Sequence, residues 1–206
     1  SEPVVCALEF VERDSPGLEP ARTEITVAAT SSIRLTDVLA TEFGEVGAGA
    51  LTVRPGNGAV MASSRTFAED PGGTYGQMVP GLHTTDAIHG FETGRLIQLR
   101  HSPRLDDGFR TNIGLVASCP TEMEITLNLY LGSGQPLGVE TVTLPAMGTV
   151  HLDNVFAPFT DDVVEDGFAV LSSTTPLCAF YAYGSVVDNR THDPILVPAR
   201  PWAPVP

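Results

Sequence analysis

The feature that most constrains the fold is an internal repeat. The segment TEITVAATSSIRLTDVL (23–39) aligns with ETVTLPAMGTVHLDNVF (140–156) at a shift of 117 residues, and GALTV (49–53) aligns with GFAVL (167–171) at a shift of 118. VCALEF (5–10) alternates in the same way as TLNLYL (126–131). Identity is low, but the order of apolar segments and gaps is kept. We therefore expect the chain to contain two copies of one structural module.

The periodicity of the apolar segments indicates strands. ITLNLYL (125–131) alternates apolar and polar residues, as a strand with one buried face requires. With 20 Gly and 17 Pro, the chain is divided into many short elements. Short strands at this spacing are typical of β-sandwiches. We predict an all-β protein of two tandem immunoglobulin-like β-sandwich domains, residues 1–84 and 85–206.

The two copies differ at their beginning. In the second copy the segment FRTNIGLVASC (109–119) precedes ITLNLYL, whereas the first copy starts almost at VCALEF. The first module is therefore expected to lack its opening strand, leaving backbone groups free to pair with another strand. Three sources are open: residues preceding this sequence, the segment RLIQLR (95–100), or a neighbouring molecule. The C-terminal PILVPARPWAPVP is a candidate donor, restricted by its prolines to an edge.

The segment DNRTHDP (188–194) is the densest group of polar residues in the chain. The repeat aligns Asp188 with Asp70 but His192 with Thr74, so only one copy carries the whole set. Because Asp and Asn side chains initiate turns, a structural loop is the favoured interpretation. The alternative is a calcium ion held by Asp188, Asp193 and backbone carbonyls. No other cofactor is expected, and the acidic loops 105–108 and 160–166 are interpreted as solvated.

The three cysteines lack C-x-x-C spacing, which argues against zinc. If consecutive strands reverse direction, the end of the module's first strand and the start of its sixth lie at the same end of a sandwich. These positions hold Cys119 and Cys178, which we predict to form a disulfide, with Cys6 left over. The alternative is three reduced, buried thiols.

The sequence contains no motif of a known catalytic site. Nucleophile elbows, H-E-x-x-H and glycine-rich phosphate loops are absent, so we expect a protein that is not an enzyme. A catalytic triad assembled from distant residues stays open. Tyr181 and Tyr183, with Tyr130, could form a sugar-binding platform, but core or cross-strand packing is the favoured interpretation.

Several phrases, GTYGQMVPGL, ETGRLIQLR, FRTNIGLVAS, YGSVVDNRTHDP and LVPAR, resemble a recurrent tandem β-sandwich module of secreted bacterial proteins. The resemblance covers most of residues 60–200. It implies a secreted or cell-surface accessory or structural protein. The module has no assigned activity, so the resemblance supplies no catalytic residues.

Charge restricts the partners. A net charge of −14 at pH 7 disfavours nucleic acids, and no apolar run is long enough for membrane insertion. We expect a non-catalytic extracellular structural or interaction protein that binds itself, as a homo-oligomer or polymer, or other surface components. Strand complementation would make it a self-assembling surface or filament subunit. The alternative is a carbohydrate- or surface-binding accessory module of a secreted bacterial enzyme.

Overall fold

The computed structural model describes residues 2–70 and 73–202, and nearly all of its regular structure is β. In this part of the chain, fifteen strands form four antiparallel sheets. We call residues 2–80 the first unit and residues 88–202 the second unit. The strands of the first unit are β1 (Val4–Glu12), β2 (Ala21–Val27), β3 (Gly49–Pro55), β4 (Ser63–Asp70) and β5 (Gly73–Pro80). Those of the second are β6 (Ile88–His89), β7 (Thr93–His101), β8 (Phe109–Ala117), β9 (Met123–Leu131), β10 (Pro136–Leu144), β11 (Thr149–Leu152), β12 (Val164–Ser172), β13 (Ala179–Asp188), β14 (Pro194–Pro198) and β15 (Arg200–Trp202).

The second unit consists of two five-stranded sheets around one core. One sheet has the order β10-β9-β12-β7-β15, and the other has the order β11-β8-β13-β14 with β6 added beside β13. The inward residues of both sheets form a single cluster that includes Leu99, Leu115, Leu127, Leu171 and Phe180. Burying each such side chain contributes about 2 kcal/mol. The alternation seen in the sequence thus places one face of each strand in a shared core, as in a β-sandwich.

The first unit is built differently from the second. Its strands form a three-stranded sheet of order β2-β1-β3 and a separate two-stranded hairpin, β4-β5. The predicted pair of immunoglobulin-like sandwiches is therefore not seen among the described residues, because these two pieces do not close around a common core. Leu8 and Phe10 of β1 are buried, with Phe43 against the Phe10 ring at 5.7 Å. The boundary at residues 84 and 85 stays a prediction.

The three-stranded sheet nevertheless matches part of the second unit strand by strand. In order, β2-β1-β3 corresponds to β10-β9-β12 at the positions that the repeat aligns. The pairs Cys6↔Ile25 and Leu8↔Val53 fall on Ile125↔Val142 and Leu127↔Leu171 when β1 is shifted by 119 residues. The alignment of VCALEF (5–10) with TLNLYL (126–131), a shift of 121 residues, is therefore wrong by two residues. Alternation cannot detect this error, since a shift of two keeps every side chain on the same face.

The strands that pair with β12 and β13 in the second unit, β7 and β8, have no counterpart among the described residues of the first. In the second unit, β12 pairs with β7, and β8 lies between β11 and β13. The equivalents of β12 and β13 are β3 and β4, and each lacks this second neighbour in the part of the chain that is described. The sequence predicted one missing opening strand, whereas counterparts of both β7 and β8 are absent from the described residues of the first unit, because RLIQLR of β7 was interpreted as an extra strand between the modules.

Two of the segments considered as strand sources already have partners in the structure. RLIQLR lies within β7, which pairs with β12 and β15 of its own sheet. The C-terminal donor was placed in a segment that already forms β14 and β15, paired with β13 and β7. Residues 203–206 of that segment lie outside the described residues. The described residues of both segments thus pair within the second unit and not with the first.

The first unit covers both outer edges of the sheet that contains β11 and β14. At β11, the loop after β1 extends the sheet, because Gly17 N donates to Ala146 O and Thr149 N donates to Ser15 O, both at 3.0 Å. At β14, the β4-β5 hairpin lies alongside, with Gly76 N donating to an oxygen of Asp193 at 3.3 Å. This arrangement shields edges that would otherwise invite aggregation.

Within residues 2–70 and 73–202, helical structure is confined to two short turns. The segment 36–46 contains a π-helical turn at Leu39–Phe43 that ends at Gly44 with φ 70°. A left-handed residue of this kind terminates helices, and glycine adopts it without a Cβ clash. The second is a 3-10 turn at Thr84–Asp86. No described helix has the length and apolar character to cross a membrane.

Candidate functional site

The DNRTHDP loop is organised around the carboxylate of Asp188. One of its oxygens accepts backbone N–H bonds from Arg190 at 2.8 Å and Thr191 at 3.0 Å. These bonds, from Thr191 first and then Arg190, hold the pKa of Asp188 below its usual range. The backbone of Asp188 also accepts from His192 N, which closes the turn. The carboxylate therefore acts as the structural centre of a tight turn.

The second residue of the predicted calcium site has a different partner. Asp193 accepts a hydrogen bond from Gly76 N and so connects this loop to the β4-β5 hairpin. No group of three or more His, Cys, Asp or Glu side chains suited to a metal ion occurs among the described residues. Hard cations need six to eight oxygens, and the two carboxylates are already engaged separately. The geometry gives the calcium prediction no support.

Asn189 is the buried residue of the loop, and the sequence did not single out its role. Its side chain donates to Arg104 O at 2.8 Å and to Asp107 O at 3.1 Å. It accepts from Arg110 at 2.9 Å, while its backbone N–H donates to Gly108 O. Asn189 therefore fixes the 102–108 loop against the end of β13. Periodicity gives no signal for such a contact, since its partners lie about 80 positions away.

The acidic loops form ion pairs at the surface. Arg100 pairs with Glu165 of the 160–166 loop, and Arg104 pairs with Asp106 at 3.1 Å. The fully exposed Asp106 has its pKa lowered by hydrogen bonding and charge attraction from Arg104. Exposed pairs of this kind contribute little stability. The solvated interpretation of these loops agrees with their geometry.

A cavity of about 240 Å³ lies between these loops, bordered by His101, Ser102, Asp107 and Glu165. Although this composition resembles that of a hydrolase site, the hydrogen bonds do not. The His101 ring is bonded to Asn154 at 3.1 Å, and the Ser102 hydroxyl accepts from Arg104 N. Within the described residues no carboxylate is bonded to His101, so no general base is oriented here.

The cysteines occupy the positions that strand parity suggested. Cys119 and Cys178 are joined by a disulfide with their Cα atoms 5.1 Å apart, and Cys6 is free and buried. The bridge connects the end of β8 to the start of β13. No cysteine stands at the equivalent start of β4, where the repeat aligns Val60 with Cys178.

The three tyrosines of the proposed sugar platform lie in two different sheets. Tyr130 of β9 stacks on Phe168 of β12 with ring centroids 4.8 Å apart, as a cross-strand pair. Tyr181 and Tyr183 lie on β13, and burial raises the pKa of both hydroxyls. The three rings therefore do not form one platform.

The most distinctive surface is the outer edge of β3. Gly56 N donates to Val5 O, and bonding alternates along an antiparallel pair, so even-numbered residues of β3 bond to β1. The peptide groups of Leu51 and Val53 consequently point away from β1. Among residues 2–70 and 73–202, no strand is bonded to this edge. We call it the acceptor edge.

The apolar face beside the acceptor edge is only partly covered. Val53 and Ile25 are half-buried, Leu51 retains 38% exposure and Ile33 retains 44%. In the second unit the matching residues Leu171, Ala169 and Val142 are buried under the opposite sheet. The first unit thus has an unsatisfied edge and an incompletely covered face side by side.

No family model and no curated protein matches the chain. Among solved structures it is similar to Thermotoga maritima 1070, with a TM-score of 0.41 and 11% identity. The similarity covers 56% of this chain and 96% of that one. It is too distant to assign an activity.

Proposed function

We propose that this protein is a non-catalytic interaction protein, acting at the cell surface or outside the cell, whose first unit accepts a β-strand from a second molecule. The acceptor edge carries this proposal. Leu51 and Val53 present free peptide groups, while their counterparts Ala169 and Leu171 pair with β7 in the second unit. Strand addition supplies affinity through main-chain bonds and specificity through alternate side chains.

The acceptor edge lacks the devices that usually protect an edge strand. Such edges carry charges, prolines or bulges that prevent pairing. Here Pro55 stands at the end of β3, and the charged Arg54 directs its peptide groups toward β1. Between Gly49 and Arg54, the peptide groups that point away from β1 belong to Leu51 and Val53, which are both apolar. This edge is therefore suited to pairing with a partner.

The completed first unit would be a sandwich like the second. With a strand beside β3, the sheet β2-β1-β3 becomes four-stranded in the order of β10-β9-β12-β7. The molecule would then consist of two tandem immunoglobulin-like domains. The partner is another copy of the chain or another surface component, since a net charge of −14 disfavours a nucleic acid.

The experiment is size-exclusion chromatography with light scattering over a range of concentrations. Val53→Pro removes an outward N–H without removing a bond to β1. Thr26→Pro is the matched control, because Thr26 lies on the outer edge of β2. The counterpart strand β10 is also the outermost strand of its sheet, so no partner is expected beside β2. We expect association of the parent chain and of Thr26→Pro, and loss of association in Val53→Pro.

Equal association of all three proteins would place the contact elsewhere, and a monomer at every concentration would reject self-assembly. The carbohydrate-binding alternative predicts retention on a glycan array that Val53→Pro does not change. The separation of the three tyrosines gives that alternative no geometric support.

A further inference from the structure

We infer that the outer face of the sheet β10-β9-β12-β7-β15 binds an acidic oligosaccharide, with a carboxylate-bearing ring held by Arg95, Arg200 and Trp202. We call these three residues the arginine–tryptophan patch. The patch belongs to the second unit and the acceptor edge to the first, so this binding function is independent of strand addition. It also differs from a platform built on Tyr181 and Tyr183, which lie in the other sheet.

Two arginines face each other at the β7-β15 end of the sheet. Arg200 is the direct cross-strand partner of Arg95, and both side chains are exposed. Like charges in this position repel each other. Arg200 has Asp86 at 3.0 Å, whereas Arg95 has no carboxylate partner in the part of the chain that the structure describes. An anion bound between the two guanidinium groups would remove the repulsion, which favours a ligand that carries a carboxylate.

Trp202 orients one of the two arginines. The guanidinium carbon of Arg95 lies 4.1 Å from the centroid of the indole ring, as in a cation–π contact. Stacking restricts the guanidinium plane but leaves the N–H groups at its edge available, and these donors match the two oxygens of a carboxylate. Trp202 retains 44% exposure, so part of the indole is open to the apolar face of a ring. The patch is thus suited to a ring that carries a carboxylate.

A row of hydroxyl side chains continues from Trp202 across the whole sheet. Cross-strand pairing aligns one outward residue from each strand, in the order Thr141, Thr126, Ser172, Thr93 and Trp202. The neighbouring row consists of Val139, Asn128, Val170, Arg95 and Arg200. A hydroxyl group both donates and accepts hydrogen bonds, as sugar hydroxyls do. The two rows therefore present groups complementary to a sugar chain over five strands, about 19 Å at the usual strand spacing.

The two rows contain no acidic side chain, although the chain carries 25 Asp and Glu against 11 Arg. Glu124 and Asp166 lie on the same strands but outside the rows. The rows thus combine a pair of positive charges at one end with neutral groups elsewhere. This distribution suits an oligosaccharide that has an acidic ring beside neutral rings. A nucleic acid carries a phosphate at every unit, which the net charge of −14 disfavours.

A peptide is a poorer match for this face than a sugar chain. Within β9, β12 and β7 the strands already have neighbours on both sides, so an added strand would find no free main-chain groups there. The face offers side chains instead, and these are mostly hydroxyls, an amide and arginines. The first unit leaves the face open, because its hydrogen bonds to Ala146, Thr149 and Asp193 lie beside β11 and β14 of the other sheet.

The test is isothermal titration calorimetry of the full chain with a hyaluronan hexasaccharide, in which carboxylate-bearing and neutral rings alternate. A chitin hexasaccharide, which is neutral, and a hexaglutamate peptide are the comparison probes. We expect the hyaluronan fragment to bind at least about tenfold more tightly than either comparison probe, because bidentate bonds between arginine and carboxylate are among the strongest hydrogen bonds.

Substitutions locate the site. Arg95→Ala and Trp202→Ala should each weaken hyaluronan binding by at least about tenfold, as expected for anchors of an interface. Arg95→Lys keeps the charge but loses the planar fork, so it should weaken binding as well. Thr126→Val removes a hydroxyl and keeps a β-branched side chain, and the loss of one hydrogen bond should weaken binding about two- to tenfold. Arg190→Ala is the matched control, because it removes an exposed arginine of the DNRTHDP loop and should leave the Kd unchanged.

Thermal unfolding verifies that each variant is folded, and the binding results then decide the inference. Equal binding of the chitin fragment would show that the carboxylate is not recognised. Tighter binding of hexaglutamate would assign the patch to an acidic protein segment. An unchanged Kd in both Arg95→Ala and Trp202→Ala would place the ligand elsewhere, and no binding of the hyaluronan fragment at about 1 mM would reject the site. Each of these four results overturns the inference.

The outcome is separable from that of the proposed function. Val53→Pro should leave the Kd for the hyaluronan fragment unchanged, because the acceptor edge lies in the first unit. Arg95→Ala should likewise leave association through the acceptor edge unchanged. A loss of sugar binding in Val53→Pro would show that the sugar binds at or through the acceptor edge, and would overturn the assignment to the arginine–tryptophan patch.

Discussion

Arg110 donates a hydrogen bond of 2.9 Å to the buried side-chain oxygen of Asn189, at the point where β13 ends and the DNRTHDP loop begins. The amide nitrogen of Asn189 simultaneously holds two carbonyls of the 102–108 loop. The segment that most resembles a site in the sequence is thus a structural junction.

Asn189→Ala should destabilise the chain by about 2–4 kcal/mol. The substitution removes three hydrogen bonds of a buried side chain, and each such bond contributes about 0.5–1.5 kcal/mol, with more for the bond from the charged Arg110. Urea unfolding followed by circular dichroism measures the change. Arg190→Ala, an exposed neighbour, is the control and should stay within about 0.5 kcal/mol of the parent. Equal effects of the two substitutions would contradict the junction.

Asp188→Asn should make the free energy of unfolding depend less steeply on pH in the acid range. Hydrogen bonds from Thr191 N and Arg190 N lower the pKa of Asp188 in the folded state, so its stabilising contribution is present above the unfolded value of about 3.9. That contribution is lost as pH falls through the folded pKa. Asparagine still accepts both bonds but does not titrate. Unfolding measured between pH 2 and pH 6 should show a shallower slope for the variant, and an unchanged slope would show that the carboxylate is not held as described.

Calcium should not raise the melting temperature of the chain. Asp188 and Asp193 bind different backbone groups, and no cluster of three or more His, Cys, Asp or Glu side chains that could hold a metal ion occurs in the described part of the chain. Thermal unfolding in 5 mM EDTA and in about 1 mM CaCl₂ compares the two conditions, a concentration within the range of extracellular calcium modules. An upward shift in calcium that Asp193→Asn removes would restore the calcium site.

His151→Gln should reduce the loss of stability on mild acidification. Burial lowers the pKa of His151, assisted by the charge of Arg13, while Asp153 and Asp14 act in the opposite direction. Since the unfolded chain takes up this proton more readily, stability is full above about pH 6.5 and decreases as pH falls below that value. Urea unfolding from pH 5 to pH 8 measures the difference.

The control for that prediction is His192→Gln, an exposed position in the DNRTHDP loop. It should retain the pH dependence of the parent chain. The window lies well above that of Asp188, so the two effects are separable in one titration. If His151→Gln keeps the full slope, the contact between the β1-β2 loop and β11 is not the origin of the pH dependence.

The Cys119–Cys178 disulfide should stabilise the second unit by about 4 kcal/mol, the chain-entropy value for the 59-residue separation. Replacing both residues by serine should lower the free energy of unfolding by that order. Cys6→Ala tests the free thiol and should not change the mass of any disulfide-linked peptide. Peptide mapping without reduction checks the bridge directly, and detection of three free thiols would remove it.

The sequence by itself determined the strands, the repeat and the inward face of each strand. Alternation with period two is a local property, so Leu127 and Leu129 could be assigned to the core without knowing their neighbours. The order of strands followed from the repeat, because equivalent segments occur in equivalent order. The positions of Cys119 and Cys178 followed from strand direction alone.

Only the tertiary structure decided which strands share a sheet and which edges stay free. The role of β7 depends on its ladder with β12, and that of Asn189 depends on the 102–108 loop, contacts between residues far apart in the chain. The acceptor edge arises in the same way, from a neighbour that β12 has and β3 does not. Hydrogen bonding between strands is directional and non-local, and a one-dimensional pattern does not record which of two strand edges is occupied.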